Sequence, residues 1–410
     1  MKIETPRGTA DVLPAQQPPR DAIVRATESA AARYGYGRIT TPTFEDTELF
    51  ARTAGQGSDV VTKEMYTFAD RAGRSLTLRP EATAGIARAY VEHGLHRAPQ
   101  PVKTFMVGQM FRYAAPQKGR YREFWQIDFE AMGSDDPAID AELIELFTEI
   151  GRTLRIDGLR LELNSIGDRA CRPAYVERLR AFLAAHEGDL DADAREKAQT
   201  SPLRVFDTKN PAVQATLAAA PTIGESLCAP CREHFAAVRA ALDACGVAYE
   251  LVPTLVRGLD YYTRTVFEFV NDALGAAQGT VCAGGRYDYL IEEIGGTPTP
   301  GVGWAAGIER LAMSATLGAE PAGIDVFFVW DEGADRPRAL AELAKLRRAG
   351  LACDADYAGR SLKGQMTQAG RLNARRIVRV SGEGAVIREG GVDVSTAPVP
   401  LERIAEAVLG

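Results

Sequence analysis

The sequence predicts an α+β protein of more than one domain, and three features of its 410 residues carry that reading. Residues 104–130, TFMVGQMFRYAAPQKGRYREFWQIDFE, set two alternating, aromatic-rich runs around a Pro/Gly loop, the pattern of a long antiparallel hairpin. From about Asp168 to Pro253 charged, Ala-rich helical stretches replace strand patterning, as a helical insertion lodged between two parts of a sheet does. After residue 318 strands and helices alternate, which argues a small α/β domain. A chain of this length exceeds a single core and fits two or three domains.

Bulk composition narrows the class. Hydrophobic residues at 46% and charged ones at 25% match an ordinary globular protein. The net charge of −7 excludes a uniformly basic nucleic-acid coat, so any such contact must use local basic patches. The start, MKIETPRGTADVLP, lacks an apolar targeting core, and no later run reaches about 20 apolar residues. A soluble, cytoplasmic protein with no membrane association is expected. Six cysteines without a dense framework fit a reducing compartment. Cys228-Ala-Pro-Cys231 with His234 three residues on has the look of three zinc ligands, with Cys245 as a distant fourth. No second pair at zinc-ribbon spacing accompanies them, so the sequence reads as thiols near a helix start, with no metal centre predicted. His93, His96 and His186 are scattered, and the first two read as surface groups.

In chain order, Ile23, Ala26, Ala30 and Tyr34 predict a helix over Arg20–Tyr34, stopped by Gly35-Tyr-Gly37. An extended segment with Pro42 inside it follows, which suits a sheet edge or a subunit interface, because proline lacks a ladder donor. EMYTFADRAGRSLTLRP (64–80) reads as a hairpin turning at Asp70–Gly73. Glu81 and Thr83 then stand where a strand passes into a helix over Ala84–Tyr90. A carboxylate there favours the helix N-terminus, and equally suits a cleft that receives an ammonium group. Within the central hairpin no acid occurs from Thr104 to Arg122, whereas Glu123, Asp128 and Glu130 follow at once. Further on come a helix over Asp140–Ile150, a strand in LRLELNSIG, and helices over Ala174–His186, Asp191–Gln199 and Glu233–Cys245. Strand character resumes in LVRGLDYYTRTVFEFV, and GVGWAAGIERLAMS runs from a strand into a helix with Arg310 in its early turns. SATLGAEPAG (314–323) is the expected linker. The closing domain carries Lys363, Arg371, Arg375, Arg376 and Arg379 with no acid between Ser361 and Val380, a cationic face suited to a polyanion.

RGTADVLP, LTLRPEATAG, the central hairpin, LVRGLDYYTRTVFEF, AGGRYDYL and GVGWAAGIERL, in this order, closely resemble a bacterial-type histidyl-tRNA synthetase. NSIGD, SPLRVFDTKNP and GRSLKGQM extend the resemblance over essentially the whole chain. It implies a class II synthetase antiparallel sheet flanked by helices and a homodimer. The catalytic core would lie in two parts, 1–167 and 254–318, around a helical insertion at 168–253 that lies near the tRNA acceptor stem. An α/β anticodon-binding domain would occupy 319–410. The implied activity forms histidyl-adenylate from L-histidine and ATP with Mg²⁺, then passes the acyl group to the terminal adenosine of tRNA(His).

The resemblance also assigns residues. Arg112 and Phe124 match the motif 2 arginine on the α-phosphate and the aromatic that stacks on adenine. Arg310 matches the motif 3 arginine, and Arg257 the family's own arginine at the α-phosphate. Glu81 and Thr83 match the groups that hold the α-amino group, and Gln126 the residue beside the carboxylate. Glu130 with Tyr262, and Tyr287 beside them, match the readers of the imidazole, with Tyr261 in the same motif. Gln117, Lys118 and Arg120 at the hairpin tip would meet the acceptor end; Arg375 and Arg376, on the cationic face of the closing domain, are expected to bind the tRNA as well. Two departures stand out: Ala82 replaces a glycine of many relatives, and Asp128 replaces another, directed either into the pocket or away from it. A rival from another class is the synthetase-like regulatory subunit of histidine biosynthesis. That protein lacks the C-terminal domain and the intact Arg257 motif, and this chain has both. The threonyl or prolyl class II enzymes would not carry the Tyr261-Tyr262 motif with Gln126 and Glu130.

Overall fold

Helix α1 (Gln17–Tyr34) forms where the spacing of Ile23 and Ala30 predicts, buries both, and ends at Gly35, whose φ of +74° suits a residue without Cβ. The computed structural model describes residues 3–53, 60–117, 119–275, 279–316, 323–394 and 397–410. The extended segment splits at Pro42: β1 (Gly37–Arg38) joins one sheet and β2 (Phe44–Asp46) another. After α2 (Thr47–Thr53), the strands β3 (Tyr66–Ala69) and β4 (Ser75–Leu78) make the expected hairpin. Asp70 holds its turn by accepting from the amides of Ala72 and Arg74. Helix α3 (Thr83–Glu92) leads to the long hairpin of β5 (Val102–Phe111) and β6 (Glu123–Met132). Helix α4 (Pro137–Thr153), capped by Asp136, and β7 (Leu159–Ser165) follow.

The helical insertion has its own apolar centre. Helices α5 (Arg172–Ala185), α6 (Ala192–Thr200), α7 (Pro211–Leu217) and α8 (Ala229–Ala244) close on Tyr175, Leu179, Val205 and Val213. Helix α7 escapes the periodicity because it spans only seven residues, and its start is signalled by Asn210-Pro211 alone. Strand β8 (Glu250–Leu251) brings the chain back beside β7. The sheet continues with β9 (Thr263–Asn271), β10 (Thr280–Arg286), the short α9 (Leu290–Glu293), β11 (Gly301–Gly307) and α10 (Ile308–Ser314). Strand structure thus resumes at Thr263 and not at Leu255: residues 252–262 are irregular, with Pro253 and Gly258 among them. The expected linker begins inside α10, and its residues 317–322 lie outside the described ones.

These strands make an eight-stranded sheet in the order β1-β5-β6-β11-β10-β9-β7-β8. Its inner pairs are antiparallel, while the two-residue strands β1 and β8 lie parallel to their neighbours at the edges. Because side chains alternate along a strand, β6 serves two faces at once. Ile127, Phe129 and Ala131 join Trp304, Phe147 and Phe267 in the core under α1 and α4. Phe124, Gln126, Asp128 and Glu130 take the other face. A fully buried ion pair fastens α4 to the sheet: Arg286 donates to both carboxylate oxygens of Asp140 and to the carbonyl of Ser134 at 2.9 Å.

Contacts divide the chain into two units, 1–318 and 319–410. The second holds the sheet β13-β12-β14-β15-β16, built from β12 (Val326–Trp330), β13 (Cys353–Ala355), β14 (Arg376–Ser381), β15 (Gly384–Glu389) and β16 (Val392–Asp393). Helices α11 (Arg336–Arg348), α12 (Leu362–Arg371) and α13 (Ile404–Leu409) accompany it. The cationic face expected here is largely neutralised from outside its own span. Glu389 pairs with both Arg375 and Arg376, and Asp331 pairs with Arg379. Arg376 also donates to the carbonyl of Val408, so it ties β14 to the terminal helix. No described helix is long and apolar enough to cross a membrane.

Removing one partner of a buried pair strands the other charge, at a cost of roughly 3–5 kcal/mol. Asp140→Ala is therefore expected to destabilise the first unit by about that amount. Denaturant unfolding followed through tryptophan fluorescence measures it, since Trp304 sits in the same core.

Candidate active site

One cleft gathers most of the residues singled out in the sequence. Glu81, Thr83, Arg112, Phe124, Gln126, Arg257, Tyr261, Tyr262, Tyr287 and Arg310 all line it. They come from the α3 start, the two arms of the long hairpin, the loop before β9, the loop after β10 and the start of α10.

At its inner end the cleft is a carboxylate and phenol slot. Glu130 lies opposite Gly303 of β11 and is fully buried. It accepts from the Thr83 hydroxyl at 2.6 Å and from the Tyr287 hydroxyl. Tyr261 packs at a tilt of 53° against Tyr262, and meets Tyr287 edge-on with ring centroids 5.8 Å apart. Burial pushes the Glu130 carboxyl up to about 8, against the two hydroxyl hydrogen bonds that pull it down. Glu81 accepts from the amides of Thr83 at 2.7 Å and Ala84 at 2.9 Å, so it does cap α3 while also lining the cleft. Ala82 adopts an ordinary right-handed conformation, φ −99°, and the missing glycine costs nothing there. Asp128 is buried on the same face of β6 as Gln126 and Glu130, and neither carboxylate oxygen has a hydrogen-bond partner among the described residues. Burial, followed by repulsion from Glu130 and Glu81, pushes the Asp128 carboxyl well above its ordinary value.

At its outer end the cleft is cationic. Arg112 donates to the Pro80 carbonyl at 2.7 Å and lies over the Phe124 ring at 5.4 Å. Arg310 donates to the carbonyls of Thr280 and Gly119. Burial, followed by repulsion from Arg112, Arg120 and Arg257, holds the Arg310 guanidinium below its usual range. Arg257 rests on Glu268, whose other oxygen accepts from the Thr280 hydroxyl at 2.7 Å. Sequence reasoning missed Glu268; its signal was a lone acid in the apolar run TVFEFV. It also missed Glu309, which binds Arg20 and the Trp125 amide, and Glu64, which binds Arg120.

Of the remaining expected residues, Arg120 also lines the cleft. Gln117 and Arg120 close the hairpin tip through reciprocal backbone hydrogen bonds, and Lys118 lies outside the described residues. Arg375 and Arg376 belong to the second unit. His234 and Cys245 do not join Cys228 and Cys231: His234 faces Asp140 at 3.9 Å, and Cys245 is exposed at the far end of α8.

An antiparallel sheet flanked by helices, with a motif-bearing hairpin and a strand-to-helix arginine over one cleft, is the architecture of a class II aminoacyl-tRNA synthetase. The family model described as Histidyl-tRNA synthetase matches residues 8–311. The histidine--tRNA ligase of Anaeromyxobacter dehalogenans is 46% identical over 420 residues, covering all of both chains. That of Rubrobacter xylanophilus is 46% identical over 392 residues, covering 93% of this chain and 92% of its own. Among solved structures, apo S. aureus histidyl-tRNA synthetase superposes with a TM-score of 0.81 at 34% identity, covering 99% of this chain and 100% of that one. The chain belongs to the histidyl-tRNA synthetase family.

The slot carries a pH signature. Folded, Glu130 keeps its proton up to about pH 8, whereas the unfolded chain releases it near 4.5. The folded state binds the extra proton between those values, so its stability falls as pH rises from about 4.5 through 8. Glu130→Gln cannot ionise and is expected to flatten that decline, as read by thermal unfolding of the unliganded protein across the range.

Proposed function

We propose that this chain is an aminoacyl-tRNA ligase that activates L-histidine with ATP and transfers it to the 3′-terminal adenosine of tRNA(His). What carries the reading is the meeting of Arg112, Arg257 and Arg310, from three separate segments, on one cleft beside the Glu130–Tyr287 slot.

The first step is an in-line attack of the histidine carboxylate on the α-phosphorus, with pyrophosphate leaving. Negative charge gathers on the phosphoryl oxygens, and fixed guanidinium groups lower that barrier. Arg112 and Arg257 act at the α-phosphate, Arg310 at the outer phosphates, and Phe124 stacks on adenine. Gln126 lines the cleft and donates its side-chain amide N–H to the substrate carboxylate. Glu81 and Thr83 take the α-ammonium. Glu130, with Tyr287 and Tyr262, pairs the imidazole nitrogens. An isostere without them leaves buried polar groups unmatched, a penalty of roughly 4 kcal/mol or more.

Mg²⁺ enters as part of the nucleotide substrate. The carboxylates lining the cleft, Glu64, Glu81 and Glu309, are each already engaged by an arginine or by backbone amides. The hairpin tip, with Gln117, Lys118 and Arg120, meets the acceptor end of the tRNA, and the insertion lies near the acceptor stem. Residues 319–410 bind the anticodon arm, with Arg375 in contact. The working form is a cytoplasmic homodimer.

Amino-acid-dependent exchange of pyrophosphate into ATP tests the reading: histidine alone should support it, and a regulatory paralogue would show none. Arg257→Ala is expected to slow exchange by about 10²–10³-fold with histidine affinity little changed. Near-normal exchange would remove Arg257 from the transition state. Arg375 is exposed, so Arg375→Glu should weaken tRNA binding and leave adenylate formation intact. Arg376→Glu should also destabilise the second unit, because it breaks the tie to Val408; binding, exchange and thermal unfolding separate the two.

A further inference from the structure

Two segments of the chain share a spacing that the synthetase reaction leaves unused: Asp168-Arg-Ala-Cys171, and Cys228-Ala-Pro-Cys231. The first lies in the loop between β7 and α5, and the second begins α8. The fold brings them together across 60 residues. One carboxylate oxygen and three sulfurs all lie within 4.8 Å of one another. The Cys171 and Cys231 sulfurs are 4.0 Å apart, Cys171 is 3.5 Å from Asp168 Oδ1, and Cys228 is 4.0 Å from the same oxygen. A tetrahedron with Zn–S bonds of 2.3 Å has edges of about 3.8 Å, so these separations already describe a ligand shell.

The surroundings are built for that shell. Asp168, Cys171 and Cys231 are buried, and Cys228 is half-buried. Asp168 Oδ1 accepts from the Ala170 amide at 2.9 Å, and Oδ2 faces Arg264 at 3.8 Å, which fixes the carboxylate and offsets its charge. Cys171 is the N-cap of the 14-residue α5, and Cys228 the N-cap of the 16-residue α8. Both helices therefore turn their positive ends toward the sulfurs, and a bound cation would offset the burial and the nearby Asp168 that push the Cys231 thiol up. Gly167 makes the turn at φ +63°, and a Cβ there would stand 2.6 Å from the Cys171 sulfur. The set read from sequence differs because Cys245 is carried away along α8, about 21 Å from Cys231 at 1.5 Å per residue.

We propose that Asp168, Cys171, Cys228 and Cys231 bind one Zn²⁺ in a closed structural site. Binding releases three thiol protons as three thiolates and one carboxylate replace the water around the ion. The site clamps the start of the insertion to its last helix. It also lies next to the histidine slot, because Arg172, the residue after Cys171, donates to the Tyr262 carbonyl at 2.5 Å.

The full-length chain, purified under reduction without chelator, should carry one zinc per chain by elemental analysis. Cys228→Ser with Cys231→Ser should reduce this to background, whereas His234→Gln with Cys245→Ser should leave it unchanged. Stripped wild-type protein should take up one Co²⁺ anaerobically, with a thiolate-to-cobalt charge-transfer band. Asp168→Cys should strengthen that band in proportion to a fourth thiolate, a gain that a mere folding defect cannot produce. The proposal is overturned if the fully reduced, folded wild type takes up neither Zn²⁺ nor Co²⁺. It is overturned equally if fewer than six thiols titrate in the fresh protein because Cys171 and Cys231 are joined as a disulfide.

Discussion

A carboxylate held in the middle of a sheet is the constraint on which the site depends. Charge in such a place costs several kcal/mol, which is what pushes the carboxyl up to about 8, and its room and its partners must be built together. A Cβ at Gly303 would fall 1.7 Å from Glu130 Oε2, one at Gly301 would strike the Tyr287 ring at 2.3 Å, and one at Gly285 would meet Tyr262 at 2.8 Å. Three glycines on two adjacent strands thus vacate the space that one acid and two phenols fill. Strand glycine is ordinarily a weakness, and here it is what lets the strands carry a polar slot.

The cationic end is organised by a different device. Arg112 and Arg310 are anchored by backbone carbonyls, which orient a guanidinium without cancelling its charge. Only Arg257 and Arg120, among the four, lean on carboxylates. The result is a pre-aimed positive field in a partly desolvated cleft, which is worth more to an incoming phosphate than mobile surface lysines would be.

Much of this was legible in the chain. The alternation in 104–130 gave the hairpin and put Gln126 and Glu130 on one face, and the glycine-spaced strand before Arg310 placed that arginine at the sheet end. Partners brought in from a distance stayed hidden. Glu389 and Asp331 neutralise arginines that look unopposed between Ser361 and Val380. Likewise Asp168 and Cys171 complete a set that begins sixty residues later, while the nearer His234 turns to Asp140. Local pattern reports which way a side chain points, and says nothing of what another segment brings opposite it.

The insertion leaves the sheet after β7 and returns through β8, with Leu163 and Leu251 as direct partners. Its two ends therefore touch, and the eight-stranded order does not thread through it. The appendage is nonetheless tied to what lies beneath it: Val238 and Leu242 of α8 enter the core under the sheet, and Arg172 holds the Tyr262 carbonyl. Its outer surface can therefore vary freely, whereas a change at those anchor positions reaches the slot itself.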